Sequence, residues 1–108
     1  MEPTIPMKTL IMVVNAGFAE EVIELARGEG ARGATILNAR GEGARHESFL
    51  GITVDTEKEL VMCVVDAGTS EKAMAAVKEK AGIKTPAHSI CFTMSVDQVI
   101  GINNAVME

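Results

Sequence analysis

Two unbroken apolar runs constrain this chain more than any other feature. One lies within residues 7–14 (MKTLIMVV) and the other is 60–65 (LVMCVV); both lack the alternation of a strand with one wet face, so each reads as a strand central in a sheet. A helix signal follows each run. After a break at Asn15-Ala16-Gly17, Phe18, Val22, Leu25 and Ala26 recur at helical spacing, with Glu20, Glu21 and Glu24 early and Arg27 late. Gly28 and Gly30 supply the stop. After the second run, Thr69 and Ser70 are N-cap candidates, Met74, Val77 and Ala81 share a face, and Gly82 ends the helix.

Two further strands complete the pattern. Residues 33–40 return to strand character. In 90–96, Ile90, Phe92, Met94 and Val96 fall on one side, with Cys91, Thr93 and Ser95 on the other. Residues 99–102 are expected to form one more short strand, and 103–108 a tail. The order strand, helix, strand, long loop, strand, helix, strand, with right-handed crossovers, predicts an α+β, ferredoxin-like βαββαβ sandwich. Its four-stranded antiparallel sheet carries two helices on one face, in a single domain spanning 1–108. The second and third strands are then neighbours, so residues 41–59 cap a hairpin and project from the sheet. A connection of that length usually carries function. The sheet's other face stays open, and the apolar residues of its two central strands would be exposed in a monomer. That predicts a symmetric oligomer.

Hydrophobic residues make up 47% of the chain but aromatics only 3%, with no Trp or Tyr, so the core must be aliphatic and methionine-based. A formal charge of −5 argues against binding nucleic acid or an anionic membrane. No apolar run approaches membrane-spanning length, and the start lacks a signal-peptide pattern, so no membrane insertion and a cytoplasmic location are expected. Cys63 and Cys91 read as two buried, reduced thiols. Together with His46 and His88 they match no familiar metal-ligand spacing, and no metal is expected. Nor does spacing supply a Ser-His-Asp or Cys-His arrangement, so the chain is not expected to be an enzyme. Glu47, Asp55, Glu57 and Glu59 read as a solvated acidic surface.

The motifs Gly30-Ala31-Arg32-Gly33-Ala34-Thr35 and Ala39-Arg40-Gly41-Glu42-Gly43, then the loop and an apolar third strand, resemble the PII family of nitrogen-regulatory signalling proteins. The closing segment from Phe92 to Ile102 resembles that family's last strands. The resemblance implies a homotrimer whose sheets face inward. It also implies adenine nucleotides (ADP, AMP or ATP) in the clefts between subunits, and a long T-loop that engages a transporter, enzyme or regulator.

Carried over position by position, Thr35, Gly41 and Gly43 match the family's threonine and loop-base glycines. Glycines let backbone N–H groups approach an anion, and a threonine hydroxyl can serve an adenine or ribose edge. Arg40, Lys58, Lys84 and His88 are candidate phosphate partners, and Glu42, Arg45, His46, Ser48 and Phe49 are candidate partner-loop residues. The chain also departs from the family. Residues 82–89 (GIKTPAHS) lack the glycine framework of its second phosphate loop, and Gly101 and Asn103 stand where it carries two arginines. Losing two charge-assisted contacts favours a smaller or less charged nucleotide over ATP. It also keeps open an alternative, a ligand-free protein-interaction module of the same fold.

Overall fold

The protein is described by a computed structural model over residues 6–41, 47–49, 52–54 and 56–102. Strand β1 (Met7–Asn15) leads to helix α1 (Ala19–Gly28) and strand β2 (Thr35–Gly41). Short strands β3 (Glu47–Phe49) and β4 (Ile52–Val54) precede the long strand β5 (Thr56–Asp66), helix α2 (Ala67–Ala81) and strand β6 (Ile90–Ser95). The main sheet runs β2-β5-β1-β6 with every neighbouring pair antiparallel. This is the expected ferredoxin-like arrangement, and the two unbroken apolar runs are its central strands, β1 and β5.

Register sorts those strands into two faces. Leu10 lies opposite Cys63 and Met12 opposite Val61, and these four join Val14 and Val65 in one buried core. Val22, Ile23 and Ala26 of α1 and Ala73, Val77 and Ala81 of α2 close over it. The small alanines let both helices lie close to the sheet, which is how a core almost without aromatics reaches interior density.

On the opposite face, exposure differs from the expectation. Ile11 is buried, and Val13, Met62 and Val64 are half-buried, because a central strand is shaded from both sides. The exposed large apolar residues there sit on the edge strands: Leu37 of β2 and Ile90, Phe92 and Met94 of β6, the last three 42–55% accessible. Residues 99–102 form no strand; Gly101 takes a φ of +88°, which breaks an extended run.

The α2 cap differs from the one expected, and the α1 cap comes from outside the helix. Asp66, not Thr69 or Ser70, caps α2: its Oδ1 accepts the Thr69 N–H at 2.6 Å. That backbone bond, then the Thr69 side chain, holds the Asp66 carboxyl below its usual pKa. Helix α1 begins after Phe18, which offers no side-chain cap. Glu59 supplies it from β5 instead, one carboxylate oxygen accepting from the N–H groups of Gly17 (2.9 Å) and Ala19 (3.1 Å). Glu59 is therefore a structural anchor rather than part of a solvated surface.

The connection expected over 41–59 is shorter than the sequence suggests. β5 already begins at Thr56, and β3 pairs with β4 in a hairpin with Ser48 opposite Thr53 and Phe49 opposite Ile52. The β-branched run Ile52-Thr53-Val54 after Leu50-Gly51 is the available signal for it. Among the described residues, no helix is long and apolar enough to cross a membrane.

Candidate functional site

Three chain segments meet where β1 ends, β2 ends and β5 begins. Asn15, the last residue of β1, pairs in register with Lys58, which in turn pairs with Ala39. Lys58 donates from Nζ to the Asn15 Oδ1 at 2.7 Å. The Asn15 side-chain amide donates to the Pro86 carbonyl at 2.8 Å, and its backbone N–H to the Ala87 carbonyl at 2.9 Å. One asparagine thus ties the base of the long loop to the connection between α2 and β6.

Gly41 completes this corner through the space it leaves. Its φ is not in the left-handed region. A Cβ built there would lie 3.2 Å from two side-chain carbons of Lys58, so glycine lets the Lys58 stem lie across the end of β2. Arg40 precedes it, paired in register with Glu57.

The 82–89 connection folds without the expected glycines. The Gly82 carbonyl accepts from both the Thr85 N–H (3.0 Å) and the Thr85 hydroxyl (2.8 Å). The His88 N–H reaches the Thr85 carbonyl, and the Ser89 N–H the Ala81 carbonyl, each at 3.0 Å. His88 itself adopts a φ of +50°, the left-handed conformation a glycine would otherwise take. Its ring Nδ1 lies 2.9 Å from the Ile83 carbonyl. A carbonyl only accepts, so Nδ1 carries the proton in this bond and Nε2 remains for another partner. Lys84 and His88 are both exposed.

Within one chain, then, Asn15 joins Lys58, with Gly41 beside its stem, to the Pro86 and Ala87 carbonyls of the loop that carries Lys84 and His88. Arg40, one residue out of step with Ala39 on the strand, faces the opposite side of the sheet from Lys58. Thr35 is not with them. It lies six residues up β2, about 20 Å away at the usual strand rise, opposite Met62. There it lines a hollow of about 910 Å³ on the open sheet face, with Thr9, Ile11 and Met94 among the walls and Gly30, Arg32, Gly33 and Ala34 also lining it. Of the loop candidates, Glu42, Gly43, Arg45 and His46 lie outside the described residues. Ser48 and Phe49 are placed on β3 by their backbone only.

Two residues that matter here escape a reading of the sequence. Asn15 has the look of a strand break, and Glu59 of a surface acid. The cysteines offer no centre of their own. β1 separates their strands, and both thiols are free. Burial raises the pKa of Cys63, and burial with the neighbouring Cys63 pushes Cys91 up to about 11, so both stay protonated. Among the described residues, no three His, Cys, Asp or Glu side chains gather as metal ligands would.

Comparison with known proteins adds to this geometry. The family model of nitrogen regulatory protein P-II matches residues 7–105. A solved PII-like signaling protein from Thermus thermophilus is 21% identical, with 85% of this chain and 88% of that one covered and a TM-score of 0.65. GlnK of B. subtilis is 17% identical, with coverages of 95% and 94% and a TM-score of 0.68; it has also been solved as a complex with ATP. CPII of Thiomonas intermedia K12, solved bound to ADP and bicarbonate, is 17% identical, with coverages of 84% and 86% and a TM-score of 0.64. At these identities the likeness is one of fold. No curated protein sequence matches the chain.

Proposed function

The chain belongs to the nitrogen regulatory protein P-II family, signalling regulators rather than enzymes, and from that premise we propose a homotrimeric cytoplasmic regulator that binds an adenine nucleotide between its subunits. The observation that carries the proposal is the convergence of Lys58, Gly41 and the 82–89 loop at one corner of the sheet. It offers an anionic ligand the Lys58 ammonium and the backbone beside Gly41, next to the loop that carries the exposed Lys84 and His88. Thr35 lies too far off to join this corner within a chain. In a trimer closed through the exposed Leu37, Ile90, Phe92 and Met94, the Thr35 hollow faces a neighbour, and the cleft between subunits takes the nucleotide.

The nucleotide we favour is ADP or AMP. Gly101 and Asn103 bring no cation to a third phosphate. The output surface is the loop over residues 42–55, including Glu42, Arg45, His46, Ser48 and Phe49, which engages a transporter, enzyme or regulator. Nitrogen or broader metabolic status is the signal it relays. Calorimetric titration with AMP, ADP, ATP and cyclic nucleotides tests the ligand half. Saturable heat is expected with ADP or AMP at one site per chain. Heat from none of them at high protein concentration would leave the ligand-free interaction module as the better reading.

A further inference from the structure

We propose that Asn15 is a positioning residue that couples the 82–89 loop to Lys58, and through it to the base of the 42–55 loop. This rests on the nucleotide-regulator reading and gives that site the part it lacks, a link between ligand and output. Three hydrogen bonds of 2.7–2.9 Å leave Asn15 for two separate segments, Lys58 on β5 and Pro86-Ala87 before β6. Two of them use the side-chain amide, one as donor and one as acceptor, a combination that aspartate or leucine cannot supply.

The choice of a neutral partner matters. A carboxylate against Lys58 would cancel its charge, whereas the amide oxygen holds the ammonium in place and leaves that charge for a phosphate. The neighbouring acid does not interfere. Glu59 follows Lys58 on the strand and so points to the opposite face, where it is committed to the start of α1. Gly41 keeps the space beside the Lys58 stem open. A phosphate that draws Lys58 Nζ away strips Asn15 of its acceptor bond and loosens its hold on Pro86. Movement in the 82–89 loop acts on Lys58 by the same path, as linkage requires.

The test needs no ligand to begin. His88 shares its loop with Pro86 and is one of only two histidines in the chain, so its ring signals are readily followed by NMR. Lys58→Met is expected to shift the His88 ring and Ser89 amide resonances. In an Asn15→Ala background the same substitution should leave them in place. If Asn15→Ala folds poorly, Asn15→Asp keeps an acceptor for Lys58 and loses the donor to Pro86, and the Lys58→Met shift should shrink by more than half. A shift of wild-type size in either background overturns the coupling.

With ADP added, Lys58→Met should raise Kd about tenfold, as loss of a charge-assisted contact does. Asn15→Ala, which keeps Lys58, should still bind ADP. Coupling in the ligand-free cycle without any nucleotide binding would instead remove the regulator reading and leave the Asn15 link standing.

Discussion

Glu59→Ala removes the cap of α1 from a strand that lies 40 residues further along the chain. The wild-type carboxylate oxygen accepts from Gly17 and Ala19 at 2.9 and 3.1 Å, and Phe18 at the N-cap position offers no substitute. Loss of an N-cap costs about 0.5–2 kcal/mol, and a carboxylate near a helix N-terminus gains about 0.3–1 kcal/mol from the dipole. Glu59 is only half-buried, so solvent screens part of the charge. We expect a loss of about 1–2 kcal/mol for Glu59→Ala, from the capping range. Glu59→Gln keeps an acceptor and gives up the charge, so its loss should be about half that. Urea unfolding at one fixed protein concentration reads both, and m should stay unchanged because the exposed surface does not alter. The gap between Glu59→Gln and wild type should narrow at high salt. Glu59→Ala within about 0.3 kcal/mol of wild type, well below the capping range, would refute the cap.

Other predictions rest on single contacts. The Asp66 carboxyl has its pKa lowered in the folded state, chiefly by the Thr69 N–H. Its contribution is therefore present above the ordinary value of 3.8 and lost as pH falls through the lower folded value. Asp66→Asn should flatten this acid limb of the stability profile, and an unchanged limb would contradict it. Gly82→Ala should destabilise by about 1–3 kcal/mol, because the new Cβ would lie 2.5 Å from the Lys78 backbone carbonyl; thermal melting at fixed concentration checks this. Phe92→Asp puts a charge on the open sheet face and should break the proposed trimer. Light scattering would then fall from three times the 11.4 kDa chain mass to one, and a retained trimer would remove that face from the interface.

Much of the fold is legible in the sequence because its signals are local and periodic. The two unbroken runs become the central strands, and the 3.6-residue spacings become α1 and α2. Less can be read where one segment decides the fate of another. Glu59 looks like any surface acid until β5 brings it to the start of α1, and Asn15 looks like a strand breaker until Pro86 and Lys58 arrive. The α2 cap escapes for a different reason: Asp66, Thr69 and Ser70 are all good capping residues, and only backbone geometry chooses among them. Gly41 suggests backbone freedom, yet what it provides is room for Lys58. His88 shows the converse, a non-glycine residue that takes the left-handed turn a glycine-rich loop would supply.

The claim that joins these pieces is that a nucleotide binds at the corner formed by Gly41, Lys58 and the 82–89 loop. Hydrogen exchange of the oligomer with and without saturating ADP tests it most directly. Slower exchange is predicted at residues 39–41, 56–60 and 82–89. Exchange unaltered by ADP at 39–41 and 82–89 would contradict the account.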